Sequence, residues 1–207
     1  MHHTNKNILI SFILFLLLFS PLLSSDIEEP RADLPVLITS CGQSPGATMI
    51  KVIFMKISFE DPDPAYAINM QAGPEDLISA QEAGTPYKSL IIVMGASLKG
   101  MGAAGISIDD ELSRIESLIN EAQKQNITLI GAHIEGMKRR AQGAASGDNT
   151  DELSIEAVAP NSDILVINKE GDEDRRFSII AEKNNIPMIV VNKNLELMEE
   201  LEKLFSN

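Results

Sequence analysis

The stretch from Leu34 to Ile57 constrains the fold of this chain more than any other. A short apolar run, Val36–Thr39, is followed by a loop of small residues, and a second apolar run begins at Met49. This is the pattern of a buried strand, a glycine-containing turn and a helix. In an open α/β sheet such a turn lies at the carboxyl end of its strand, where ligands bind. The pattern predicts a site on this loop but not its chemistry.

Strand-like runs alternate with helical segments along the rest of the chain. The clearest run, Leu90–Met94, is continuous and rich in β-branched residues, as in a central strand of a parallel sheet. The alternation predicts a three-layer α/β sandwich of the flavodoxin-like or Rossmann-like kind, with a doubly wound, mainly parallel sheet of five or six strands. Right-handed crossovers favour the strand order 2-1-3-4-5, with strand six at the edge. The predicted strands are Val36–Thr39, Tyr66–Met70, Leu90–Met94, Ile127–Ala132, Ile164–Ile167 and Pro187–Val191.

The predicted strand order reverses direction between strands one and three. This switch point brings the Cys41–Gly46 loop next to the glycine-rich Gly95–Gly105 loop, at the edge where α/β proteins bind ligands. Helices are expected to begin near Pro45, Gly73, Asp109, Asp151, Asp172 and Leu195.

Residues 1–25 have the pattern of a secretory signal, with Lys6 before the apolar run Ile8–Phe19. The run is about a dozen residues, shorter than the roughly 20 that span a bilayer. Leu22 or Leu23 stands where signal cleavage prefers a small residue, so an uncleaved membrane anchor over residues 8–23 is the alternative. We expect a linker at residues 26–34, one domain at residues 35–207, and export to the periplasm or the extracellular space. Membrane contact is expected only through the N-terminal segment.

The composition excludes several classes of partner. A formal net charge of -13 would repel nucleic acid and anionic lipid, and the chain is 4% aromatic with no tryptophan. Cys41 is the single cysteine, so an internal disulfide is excluded, and a small buried hydrophobic role is the commoner one for such a residue. His133 and Glu135 would project to the same side of a continued strand, but two ligands do not make a metal site. We predict no cofactor and no metal.

Two hydrolytic motifs fail on chemical grounds. Gly42–Gly46 fits the G-x-S-x-G nucleophile elbow, but Pro45 follows the serine and has no backbone N–H for an oxyanion hole. A phosphatase loop of the form Cys-x5-Arg would begin at Cys41, but Ala47 stands where the arginine is needed, so the motif is rejected unless Arg139 or Lys99 substitutes from another loop. We therefore predict no catalytic residue.

A dinucleotide motif fails for a different reason. Gly100–Gly105 matches G-x-G-x-x-G, but an acid about 20 residues later would fall inside a helix, near Ala122. We interpret the motif as a mobile or tightly packed loop of small residues.

The loops at the predicted switch point carry the donors that bind a carboxylate or phosphate. The first turn of the helix after strand one presents backbone N–H groups, and glycines let a ligand approach them. The basic residues on carboxyl-end loops of this acidic chain are predicted to form an anion-attracting rim, with ordinary solvated charge as the alternative; they are Lys99, Lys138, Arg139 and Arg140. Of these, Lys99 and Arg139 could close the rim over a ligand. The alternative is that the glycines only permit turns and that Ser44 only caps its helix. The predicted ligand-binding residues are Ser40, Cys41, Gly42, Gln43, Ser44, Gly46, Gly95, Ser97, Lys99, His133 and Arg139.

Four stretches carry a resemblance to a known family: LPVLITSCGQSPGA, LIIVMGASLKGMGAAGI, GAHIEGMKRRA and AVAPNSDILVINKEGDEDRRFSIIAEKNNIPMIVV. As a set they resemble an uncharacterised family of exported bacterial proteins, a domain of unknown function numbered 6305, over residues 33–206. The resemblance implies a bacterial, signal-bearing α/β domain with no assigned activity and no catalytic residue. At Cys41 the family is expected to have a small residue that is not a thiol, which argues against thiol chemistry.

No motif combines a nucleophile, a base and an oxyanion site, which favours a binding module over an enzyme. We predict a cell-envelope domain that captures a small anionic solute, with a membrane transporter as partner. Two alternatives stay open. One is an enzyme acting on a small anionic substrate with Cys41 or Ser44 and His133, and the other is a structural or assembly domain without a ligand.

Overall fold

The alternation of strands and helices expected from the sequence is present in the structure. A computed structural model describes residues 29–59, 61–140, 149–193 and 195–206, so the predicted signal segment lies outside the described residues. The described strands and α-helices are β1 (Val36–Cys41), α1 (Gly46–Phe54), β2 (Tyr66–Ile68), α2 (Pro74–Glu82), β3 (Ser89–Met94), α3 (Leu98–Ala104), α4 (Ile108–Lys124), β4 (Thr128–His133), α5 (Thr150–Val158), β5 (Ile164–Asn168), α6 (Arg176–Asn184), β6 (Met188–Val191) and α7 (Glu196–Phe205).

The six strands form one parallel sheet in the order β2-β1-β3-β4-β5-β6. The predicted order, with strand six at the edge, is confirmed. Every residue of β1 and β3 is buried, and the two strands pair from Val36 with Ser89 to Cys41 with Met94. Their carboxyl ends therefore finish level with each other, and the loops that follow them meet.

Helices cover both faces of the sheet, which confirms the three-layer sandwich. Because successive side chains of a strand point to opposite faces, each central strand feeds two hydrophobic layers. Leu90 and Phe177 belong to the layer under α2, α4, α5 and α6. Ile91 and Phe54 belong to the layer under α1 and α7.

The glycine-rich segment after β3 is more ordered than expected, because it contains α3. The Ser97 hydroxyl oxygen accepts the Gly100 N–H at 3.1 Å, and Gly105 ends the helix with φ +70. A serine N-cap and a left-handed glycine are helix boundary signals that outweigh the glycines between them. A Cβ on Gly100 would lie 2.2 Å from the Gln43 carbonyl oxygen, so this glycine lets α3 pack against the loop after β1.

No helix among the described residues is both long and apolar enough to cross a bilayer.

Candidate functional site

The loops after β1 and β3 meet at the carboxyl edge of the sheet, as predicted. The Ser97 N–H donates to the Gly42 carbonyl at 2.7 Å, and Gln43 and Ala96 form an isolated antiparallel bridge. Gly42 has φ +105, and a Cβ there would lie 2.5 Å from the Ala96 Cα. Only glycine suits both this backbone conformation and this close approach.

A buried ion pair on α4 holds the loop after β1. The Glu111 side chain is fully buried, and its Oε1 accepts the Gly42 N–H at 2.7 Å and the Gln43 Nε2 at 3.0 Å. Arg114 pairs with the same carboxylate at 2.8 Å and also donates to the Ser40 carbonyl at 2.7 Å. The amide of Gly42, one of the predicted ligand-binding residues, is therefore bound by the protein's own carboxylate.

The polar side chains of this loop are turned toward the protein. Gln43 donates to the Met70 carbonyl at 3.0 Å, and the Ser40 hydroxyl reaches the same oxygen at 3.4 Å. Ser44 is fully buried, and its hydroxyl oxygen accepts the Gly46 N–H at 3.4 Å. These contacts fix the loop against the segment after β2.

A second carboxylate, from outside the helix, contacts the first turn of α1. Glu135, which follows β4, accepts the Gly46 N–H on Oε2 at 3.1 Å and the Arg139 Nε on Oε1 at 3.2 Å. Arg139 also donates to the Ala96 carbonyl at 3.0 Å, and its side chain is 25% exposed. Its stem packs on Gly95, where an added Cβ would lie 3.0 Å away. The predicted arginine thus stands beside the predicted helix N-terminus, with an internal carboxylate between them.

Helix α5 binds the amides at the end of β3. The Ser154 hydroxyl oxygen accepts the Gly95 N–H at 3.0 Å, and Asp151 Oδ1 accepts the Ala96 N–H at 2.6 Å. Burial raises the pKa of Asp151, while the Ala96 amide and the Arg139 charge act in the opposite direction. The Gly95 amide is thereby directed into the protein.

His133 is buried beneath this edge of the sheet and does not lie beside the two loops. Its Nδ1 is 3.2 Å from the Met94 carbonyl oxygen, and its Nε2 is 3.1 Å from the Gly136 carbonyl oxygen. The Phe177 ring covers it at 4.9 Å between centroids. Burial lowers the pKa of His133, although both carbonyls act to raise it. Within the described residues, no group of three His, Cys, Asp or Glu side chains could hold a metal ion.

Of the basic cluster Lys138–Arg140, Arg140 departs from the rim position expected of it. Its side chain is only 1% exposed and pairs with Glu152 at 2.7 Å and with Asp174 at 2.8 Å. It also donates to the Gly171 carbonyl. Arg140 therefore ties α5 to the turn before α6, while Lys99 remains exposed on α3.

Cys41 is fully buried at the end of β1. Burial raises the pKa of its thiol far above the ordinary value, and the nearby Glu111 carboxylate adds to the effect. Met94 occupies the same face of the sheet on the strand between Cys41 and His133. A thiolate nucleophile activated by this histidine is therefore disfavoured.

Sequence reasoning did not place at this edge the residues that close it: Glu111, Arg114, Glu135, Asp151 and Ser154. It considered Glu135 only as a possible metal ligand beside His133. A signal for Glu111 is present. Glu111 lies four residues before Ile115, on the same stripe as the buried residues of α4, so its carboxylate had to be buried or capped. No comparable signal marks Glu135, whose partner lies 89 positions away.

The fold and these contacts can be set beside known proteins. Comparison with curated proteins and with solved structures gives no match. A family model described as Domain of unknown function (DUF6305) matches residues 33–205, which is most of the chain and nearly all of the described sheet and helices. The chain therefore belongs to this family, Domain of unknown function (DUF6305).

Proposed function

We propose that this domain is a non-catalytic binding module of the cell envelope that holds a small carboxylate or phosphate at the first turn of α1. In the bound form the ligand takes the place of the Glu135 carboxylate. It accepts the Gly46 N–H and pairs with the Arg139 guanidinium.

The observation that carries the proposal is the Glu135 carboxylate itself, 3.1 Å from the Gly46 nitrogen and 3.2 Å from Arg139 Nε. An internal carboxylate in this position mimics the anion that a helix N-terminus and an arginine together prefer. Arg139 is a quarter exposed, so a solute can reach it. Glu111, by contrast, is fully buried and has a structural role.

A binding role is favoured over catalysis by the surroundings of the candidate nucleophiles. Cys41 and Ser44 are fully buried, and both ring nitrogens of His133 already face carbonyl oxygens. An enzyme needs a nucleophile within reach of both a base and the substrate. Export and a transporter partner remain part of the proposal. They rest on the apolar run Ile8–Phe19, which lies outside the described residues.

Calorimetry with a panel of organic acids, phosphate and sulfate tests the site. Wild type is expected to bind one class of anion, and Arg139→Ala to bind it at least about tenfold more weakly, as expected for a lost charge-assisted hydrogen bond. Glu135→Ala is expected to bind more tightly, because the internal competitor is gone. Glu116→Ala, which removes the same charge from an exposed position of α4, is the matched control and should bind like wild type.

A structural or assembly role is the second candidate, favoured by the internal ion pairs that close the carboxyl edge. The pair Glu111–Arg114 holds the loop after β1 against α4, and the pair Arg140–Glu152 ties the segment after β4 to α5. If neither wild type nor Glu135→Ala binds any anion of the panel, the binding proposal is wrong and the structural role stands.

A further inference from the structure

A cavity lies at the amino end of the sheet, opposite the proposed anion site and beside the edge strand β2. It has a volume of about 470 Å³, within the roughly 300–1,000 Å³ of sites that bind small molecules. Its walls are mainly apolar and include Pro62, Pro64, Pro86, Tyr66 and Tyr87. Nothing in the proposed anion site involves these residues.

The two tyrosines stand on walls that belong to different layers of the fold. Tyr66 packs with the layer under α1 and α7, where its ring lies 5.4 Å from that of Phe54. Tyr87 packs with the layer on the other face of the sheet. Both rings are half-buried, and neither hydroxyl has a hydrogen-bond partner among the described residues. The cavity thus combines apolar walls with two hydroxyl groups that a ligand can use.

Two opposite charges also line the cavity. Asp63 and Lys88 are both exposed, and neither forms an ion pair with the other or with any other described residue. A carboxylate and an ammonium that line one apolar cavity without pairing complement a molecule that carries both charges. An ordinary anion or cation would meet one favourable and one unfavourable charge.

We propose that this cavity binds a small zwitterion with an apolar body, that is, an apolar amino acid or a short peptide. The ligand's ammonium faces Asp63, its carboxylate faces Lys88, and its apolar part lies between the tyrosines and the prolines. A free amino acid and a short peptide both carry an ammonium and a carboxylate, and they differ in the distance between these two charges.

The composition of the chain gives the test a specific readout. The protein has two tyrosines and no tryptophan, and both tyrosines line the cavity. Full-length protein labelled with fluorotyrosine therefore gives two ¹⁹F resonances, which the variants Tyr66→Phe and Tyr87→Phe assign. Titration with leucine, phenylalanine and dileucine is expected to shift both resonances saturably. An N-acetylated amino-acid amide, which has neither charge, is expected to bind up to about 25-fold more weakly and so to give smaller shifts at the same concentrations.

Variants separate the charge contacts from the apolar walls. Asp63→Asn and Lys88→Met are each expected to weaken binding up to about fivefold, since both groups are exposed, and salt should weaken it as well. Asp61→Asn, on the same loop but lining a different cavity, is the matched control and should bind like wild type. Arg139→Ala should also leave both resonances and their titration unchanged, so this site and the anion site can fail separately.

The proposal is overturned if no zwitterion shifts either resonance. It is equally overturned if the capped amide binds as well as the free amino acid, or if Asp61→Asn weakens binding as much as Asp63→Asn. Tighter binding of leucine than of dileucine assigns the cavity to free amino acids, and the reverse assigns it to peptides. Either order supports a zwitterion site.

Discussion

Replacing Glu111 by alanine is expected to lower the free energy of unfolding by about 3–5 kcal/mol, the range for removing one partner of a buried ion pair. The substitution leaves Arg114, whose side chain is 16% exposed, without its carboxylate. It also leaves the Gly42 N–H without an acceptor in a buried loop. An orphaned buried donor alone costs about 1–3 kcal/mol. Urea denaturation measures the change through the midpoint and its slope.

A double variant separates the ion pair from the orphaned amide. Glu111→Met with Arg114→Met removes both charges, so its cost is expected to fall well below the sum of the two single costs. The remaining cost reports mainly the Gly42 amide. Glu116→Ala, on the exposed face of the same helix, should change stability by no more than about 0.5 kcal/mol. A cost below about 1 kcal/mol for Glu111→Ala, or strict additivity in the double variant, would refute the structural role assigned to this pair.

Three further predictions follow from single contacts. Gly42→Ala is expected to lower the free energy of unfolding by about 2 kcal/mol or more, because Gly42 has a positive φ and an added Cβ would lie 2.5 Å from the Ala96 Cα. Gly102 in α3 has open space around it, so Gly102→Ala should be neutral or should raise the free energy of unfolding by up to about 1 kcal/mol. Thermal or urea unfolding compares the two. Cys41 is expected to react with iodoacetamide only in denaturant, because its thiol is buried with a raised pKa; rapid labelling of the folded protein near neutral pH would instead favour an enzyme. Burial lowers the pKa of His133 below the ordinary 6.5, so its contribution to stability is complete above that pH and is lost as the pH falls below it. Urea midpoints at about pH 7 and about pH 5.5 should therefore differ more for wild type than for His133→Asn, and equal differences would contradict the assignment.

The strand order was predictable because few topologies are compatible with the sequence pattern. Continuous apolar strands, helical connections and right-handed crossovers together leave little choice, and they make β1 and β3 neighbours in the sheet. Helix α3 was not predicted, because its segment was interpreted as a loop. Its boundary residues, Ser97 and Gly105, were present in the sequence, but the glycines between them are typical of loops and concealed it.

The direction of individual side chains could not be predicted from the sequence. Lys138, Arg139 and Arg140 are consecutive, and nothing in their spacing tells which is buried. They lie on and just after a 3-10 turn. Lys138 is exposed, Arg139 donates to the Ala96 carbonyl after β3, and Arg140 pairs with Glu152 on α5 and with Asp174 before α6. Three neighbouring cations therefore have three environments, and only the packing around them decides which one a solute can meet.

The same limit explains why the predicted anion site holds carboxylates of the protein itself. Donors can be recognised locally, since a strand, a glycine turn and a helix start fall within a dozen residues. Their acceptors cannot be recognised locally, because Glu111 lies 69 positions from Gly42 and Glu135 lies 89 positions from Gly46. Buried amides must find an acceptor somewhere, and in an acidic chain many carboxylates are within reach. Exposure then distinguishes the two carboxylates. The Glu111 side chain is fully buried, whereas the Glu135 side chain is 9% exposed and pairs with Arg139, which is 25% exposed, so Glu135 is the carboxylate that the proposed solute would replace.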